Sequence, residues 1–327
     1  MFLYIWISFI LGLLFWSLST VLTERWHSGK GGILFWRSEC PKCHKTLTAW
    51  ELVPLFSYIF QRGKCRKCHS HISYIYPASE LIIWLIFAIL SYKAWMIGFD
   101  IFSWEHILLL ALGFITWVYM LYDIRYMEIP DQIMIPGIWT IIVIMTLAAF
   151  SPSVGNLFFD ITTYNWWINN YIIDHIRGAW VLYSFLYIQI LLPGWWYLLR
   201  WKEIREFVDL MLSYFLFPLY LLFSPLMRKW EVSEEKSIPT WVGGWDLRIA
   251  LFIGLSLGTL HGIFAFAIAY MIGSIFGIGL LILRASRYHK ISHQIPFGPF
   301  LGIWWILAVL FHEEIFDWFE IIRIIYL

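Results

Sequence analysis

The first 22 residues, MFLYIWISFILGLLFWSLSTVL, contain no charged side chain, and similar apolar stretches recur roughly at 80–97, 104–122, 131–150, 179–201, 247–260, 262–284 and 297–311. About 20 apolar residues are what a helix needs to cross the hydrocarbon core of a bilayer. Inside that core only a helix or a closed barrel satisfies its own backbone. The pattern therefore predicts an all-α polytopic integral membrane protein with about eight transmembrane helices. With 61% apolar and 14% charged residues, a water-soluble enzyme is excluded. A formal net charge of +1 argues against a nucleic-acid partner. The 22 Trp and 18 Tyr suit anchoring at the two bilayer interfaces, so the lipid bilayer is the first expected partner.

Charge placement sets the expected orientation. Arg25 and Lys30 follow the first apolar stretch and no basic segment precedes it, the pattern of a membrane span and not of a cleavable signal peptide. Lys and Arg collect on the cytosolic side, which places the N-terminus outside and the polar stretch 23–78 in the cytosol. That loop holds Arg25, Lys30, Arg37, Lys42, Lys45, Arg62, Lys64, Arg66 and Lys67. The turns near 123–130, 202–246 and 285–296 then also face the cytosol, and 151–178 lies outside. The segment 206–227 is apolar but contains Pro218 and Pro225, which interrupt a straight helix. It reads as a re-entrant or interfacial element, with a ninth span as the competing reading.

All four cysteines lie in the first cytosolic loop, as Cys40-Pro-Lys-Cys43 and Cys65-Arg-Lys-Cys68, with 21 residues between the pairs. Two such thiolate knuckles can close one tetrahedral zinc site, and four thiolates leave no open position for catalysis. A structural zinc ion is the expected cofactor. A redox C-x-x-C pair and four free thiols are the competing readings, and His44 and His69, each directly after a pair, are substitute ligands.

Acidic residues at membrane depth are costly and mark candidate sites. Asp123 closes the third span in LYDIRYMEIPDQIMIPG, and Asp246 opens the sixth in TWVGGWDLRIALFIGLSLG. The topology sets both at the cytosolic boundary. Two carboxylates sharing one site titrate as a pair, one protonated and one charged, which suits activation of water against a peptide carbonyl. Gly243 and Gly244, just before Asp246, permit close backbone approach. The plainer alternative makes both aspartates interfacial residues, with Arg125 and Arg248 holding helix ends at the headgroups. Glu80 reads as a cap or a partner for a loop cation, Asp131 as a turn residue that adds negative potential with Glu128, and His261 as a solvated or satisfied histidine.

Several motifs in order resemble one family, the type IV prepilin peptidases, bifunctional leader peptidases and N-methyltransferases of the bacterial inner membrane. SECPKCHKTLTAWELVPLFSYIFQRGKCRKCHSHISYIYPASE is similar to the family's cytosolic cysteine loop, YDIRYMEIPDQIMIP to its first-aspartate segment, GGWDLRIALFIGLSLG to its Gly-x-Gly-Asp segment and IPFGPFLGIWW to its last span. The resemblance implies that Asp123 and Asp246 are the catalytic aspartates of a membrane aspartic protease. It implies prepilin-like precursors as substrates, cut on the cytosolic side after a short basic leader ending in Gly, with the new N-terminus then methylated from S-adenosylmethionine. No Gly-rich cofactor loop supports the methyltransferase independently. The resulting division is a first transmembrane helix at 1–22, a cytosolic zinc-binding loop domain at 23–79 and a membrane-embedded peptidase domain at 80–327. Two features depart from the family pattern: Trp245 stands where it has Gly, and 202–240 reads as an insertion. The competing function is a membrane transporter or pilus-assembly scaffold that uses the aspartates for ion coupling or structure.

Overall fold

The computed structural model describes residues 2–28, 38–40, 42–148, 168–201, 211, 215–216, 218, 246–286 and 296–311. Gly243, Gly244, Trp245 and most of 202–240 lie outside the described residues. Among those described, every regular element is helical, with two isolated β-bridges in the cysteine loop. The helices are α1 (Phe2–Ser28), α2 (Phe56–Phe60), α3 (Ile75–Ile97), α4 (Trp104–Tyr126), α5 (Asp131–Ala148), α6 (Ile168–Trp201), α7 (Asp246–Ser286) and α8 (Gly298–Leu310). Six of them are long and apolar enough to cross a membrane, and α8 is a shorter apolar helix.

α7 is in fact two helices. Gly258 interrupts it with φ 73° and ψ −172°, and a Cβ built on Gly262 would lie 3.8 Å from the Gly254 Cα. Eight residues of continuous helix would separate those positions by about 12 Å. The chain therefore turns back on itself at Gly258, as expected of two separate spans. Positive φ suits glycine here, and the Asp174 carboxylate accepts the Thr259 N–H at 3.1 Å, supplying a partner at the start of the second arm.

The chain forms two compact units, 1–121 and 122–327. In the first, α1 packs along α3, and a buried polar chain runs from the Ser8 hydroxyl through Ser91 to His106 Nε2, at 2.5 and 2.8 Å. α3 stops at Gly98, whose φ of 89° lets its N–H reach the Trp95 carbonyl while the Phe99 N–H reaches Ala94. In the second unit α7 is the hub, packed against α6, α8 and α5. The α6 contact is backbone to backbone, since a Cβ on Gly254 would meet the Ala179 Cα at 2.4 Å and one on Gly178 the Gly258 carbonyl carbon at 2.5 Å. Small residues one turn apart permit such an approach between membrane helices.

α6 begins at Ile168, eleven residues before the expected span. Its first turns carry Asp174, His175 and Arg177, which the hairpin turn satisfies. Arg177 donates to Asp174 at 2.7 Å and to the Thr259 hydroxyl at 3.2 Å, and His175 Nδ1 meets the Leu255 carbonyl at 2.8 Å. His261, in the second arm of α7, is buried.

Candidate functional site

The cysteine loop folds into two matching knuckles. In the first, the Cys40 N–H donates to the Lys45 carbonyl and the His44 N–H to the Cys40 carbonyl; in the second, the Cys65 N–H donates to Ser70 and the His69 N–H to Cys65. His44 and His69 take the same left-handed backbone, φ 53° and 54°, and both are exposed. They close the turns and do not join the sulfur cluster. The four Sγ atoms of Cys40, Cys43, Cys65 and Cys68 all lie within 4.8 Å of one another, none in a disulfide. Cys40 and Cys68 are 3.8 Å apart, and Cys43 and Cys65 4.0 Å. A tetrahedron of zinc–sulfur bonds of about 2.3 Å has edges of about 3.8 Å, so the cluster has the dimensions of a four-thiolate metal site.

Electrostatics within the cluster favour a cation. Backbone N–H groups of Cys43 and Lys42 draw the Cys40 thiol down to about 6. Cys43 goes the other way: although the Lys45 N–H opposes it, burial and the sulfurs of Cys68, Cys40 and Cys65 push its thiol up to about 11. Four sulfurs at these separations do not all ionise without positive charge among them. Beside the first knuckle, Glu51 accepts from Lys45 Nζ at 2.7 Å and from the Thr48 N–H and hydroxyl at 3.0 Å. These bonds, Lys45 first, hold its carboxyl down to about 2. Among the described residues, the partner of the Glu80 carboxylate is the N–H of Leu55.

The second group of candidates is carried by the 122–327 unit. Asp123 lies in the last turn of α4 and is 5% exposed. Its Oδ2 accepts the backbone N–H of Gly298, the first residue of α8, at 2.7 Å. A Cβ on Gly298 would stand 2.8 Å from that oxygen, so only glycine lets the carboxylate seat this closely against the helix start. Donors at a helix N-terminus suit an anionic group. α8 is fixed from the other side as well. The Trp305 Nε1–H donates to the Ser256 hydroxyl at 3.1 Å, and the Phe297 ring packs 4.9 Å from that of Tyr270.

Asp246 opens α7 and is half-buried. Arg248, in the first turn of α7, does not reach out to headgroups. It is 7% exposed, donates to the Ile129 carbonyl at 3.0 Å and pairs with Asp131 at 2.5 Å. Those partners follow Asp123 by six and eight residues. The start of the Asp246 helix is thus locked to the turn that leaves the Asp123 helix. Sequence reasoning assigned no role to Gly298 and treated Asp131 as a turn residue. The only available signal was glycine between Phe297 and Pro299 and an arginine two places after an aspartate.

The chain is similar to known proteins over most of its length. A family model described as Bacterial Peptidase A24 N-terminal domain matches residues 10–94, which include both knuckles. A prepilin leader peptidase/N-methyltransferase of Stutzerimonas stutzeri is 33% identical over 278 residues, covering 85% of this chain and 73% of that protein. The equivalent Aeromonas salmonicida protein is 26% identical over 283 residues, 86% of this chain and 74% of that one. A protein of the same name from Bacillus subtilis is 38% identical over 99 residues, 30% of this chain and 38% of that one. No solved structure matches the chain.

Proposed function

The chain belongs to the prepilin leader peptidase/N-methyltransferase family, and from that premise we propose that Asp123 and Asp246 are a catalytic aspartate pair that hydrolyses the leader from prepilin-like precursors. The carrying observation is the anchorage of Asp123, buried in α4 with Oδ2 held by the Gly298 N–H, beside a turn locked to the Asp246 helix by Arg248. One carboxyl of such a pair stays protonated while the other is ionised. The ionised one takes a proton from water as that water attacks the scissile carbonyl, and the protonated one donates to the developing oxyanion. The tetrahedral intermediate collapses as the leaving amine accepts a proton. Gly298 fixes the orientation of the Asp123 carboxyl throughout.

In this reading the protein lies in the bacterial inner membrane with its N-terminus outside and both aspartates at the cytosolic face. The substrate's apolar helix rests in the bilayer, which brings its scissile bond to the depth of the carboxylates. Residues 23–79 form the zinc-binding domain, with Cys40, Cys43, Cys65 and Cys68 holding a structural zinc. Residues 80–327 form the peptidase, with Gly243 and Gly244 supporting the Asp246 motif. Methylation of the new N-terminus from S-adenosylmethionine follows cleavage, as the names of the relatives suggest.

The test is cleavage of a prepilin co-reconstituted with wild type, Asp123→Asn or Asp246→Asn and read by intact mass. Loss of the leader with wild type only, and a further 14 Da on adding S-adenosylmethionine, is the expected result. Cleavage by either variant at the wild-type rate overturns the assignment.

A further inference from the structure

The cysteine module carries a surface that neither the zinc site nor the aspartates use. Trp50 is 79% exposed, Phe60 76%, Ile59 67% and Phe56 56%, and none of them belongs to a helix long enough to cross the bilayer. α2 buries none of its residues. Apolar side chains gathered on a polar module mark an interaction surface.

The position of this surface follows from one hydrogen bond. The N–H of Leu55, immediately before α2, donates to the carboxylate of Glu80, the sixth residue of α3. Directly after Glu80, the apolar side chains of Leu81, Ile82 and Leu85 are 48%, 42% and 51% exposed on a bilayer-crossing helix. α2 therefore starts at the level where α3 turns its apolar side chains outward. Phe60 lies five residues beyond Leu55, within about 7.5 Å along a helix, and each headgroup layer is about 5–8 Å thick. The stems are fixed too: the Tyr76 hydroxyl donates to Glu24 at 2.6 Å, joining the start of α3 to the end of α1. Directly after α2, Arg62, Lys64, Arg66 and Lys67 are all exposed.

We propose that α2 and Trp50 form an interfacial anchor that seats the cysteine module in the headgroup layer of the leaflet from which α1 and α3 emerge. Trp50, Phe56, Ile59 and Phe60 enter the boundary between headgroups and acyl chains, and the four cations following α2 meet anionic phosphates. Aromatic and basic side chains in this combination suit that boundary. The occupant is the bilayer because the Leu55–Glu80 bond holds the surface at bilayer depth and the adjoining charge is complementary to anionic lipid.

The test places p-benzoylphenylalanine singly at Trp50, Phe56 or Phe60, with Lys42, exposed in the first knuckle, as the control position. Each full-length protein is reconstituted in discs of phosphatidylethanolamine and phosphatidylglycerol, checked for bound zinc, irradiated and read by intact mass. Lipid adducts several-fold above the Lys42 position are expected at all three sites, falling several-fold when phosphatidylcholine replaces phosphatidylglycerol. Yields no higher than at Lys42 overturn the proposal, as does capture of a second copy of the chain or of a co-reconstituted prepilin in place of lipid. An aromatic replaces an aromatic at each site, and if one variant loses zinc the other two decide.

Discussion

Replacing Gly298 by alanine separates activity from stability in a way few other substitutions in this protein can. The added methyl would meet Asp123 Oδ2 at 2.8 Å and the Asp123 Cβ and Cγ at 3.3 Å, so the carboxyl has to move off the Gly298 N–H that it now holds at 2.7 Å. A hydrogen bond to a charged group contributes about 1.5–3 kcal/mol. If the bond serves to aim the carboxylate, its loss lowers the cleavage rate by roughly 10- to 150-fold, at about 1.4 kcal/mol per factor of ten. The fold has less to lose: Gly298 begins a helix, and alanine is favoured over glycine inside helices by up to about 1 kcal/mol. The assay is single-turnover prepilin cleavage by intact mass, beside thermal unfolding of the same reconstituted sample. Gly279→Ala, where the methyl enters open space, is the matched control. Wild-type cleavage by Gly298→Ala, or a loss that merely tracks a fallen unfolding temperature, refutes the argument that this contact orients a catalytic carboxylate.

Four further outcomes are expected. Arg248→Met and Asp131→Asn each destabilise the protein by about 1–3 kcal/mol, less than a fully buried pair because Asp131 is partly exposed, and the double variant loses less than their sum by about 0.5–3 kcal/mol in thermal unfolding. Gly258→Ala lowers the unfolding temperature, since φ 73° disfavours alanine and the methyl would meet Asp174 Oδ2 at 2.5 Å. Cys40→Ser or Cys65→Ser abolishes stoichiometric zinc, measured by elemental analysis, and opens 38–72 to hydrogen exchange while α7 stays protected. In protein with 13C-labelled glutamate, the carboxyl resonance that vanishes in Glu51→Gln titrates near 2. Its folded value is depressed, so the stability it brings is complete above about 4.5 and is lost as pH falls through about 2.

The local features of this molecule were legible in its sequence and the long-range ones were not. Uncharged runs gave the membrane helices because hydrocarbon admits little else, and two C-x-x-C pairs gave the sulfur cluster because a knuckle is a local turn. The start of α6 was misplaced because Asp174 and Arg177 look like loop residues until Thr259, 85 residues on, is seen to satisfy them. Nothing near Gly298 in the chain announces Asp123, 175 residues earlier. Arg248 reads as a headgroup anchor until its partner, the carbonyl of Ile129, is found 119 residues away.

These unannounced contacts share a chemistry that explains why they matter for the proposed reaction. A carboxylate held by a flexible side chain gives up that chain's entropy each time it is aimed, whereas one held by a backbone N–H at a helix start meets a donor already fixed by the fold. Glycine is the residue that lets backbone come so close, and Gly298 does for Asp123 what the masking of a side chain would prevent. Arg248 acts on the other helix by the same logic, since its guanidinium grips a backbone carbonyl as well as the Asp131 carboxylate. If the two aspartates work as a pair, the precision of that pair rests on the α4–α5 turn and the first residue of α8. Variants at Gly298 and Arg248 should then impair cleavage without altering a single carboxylate.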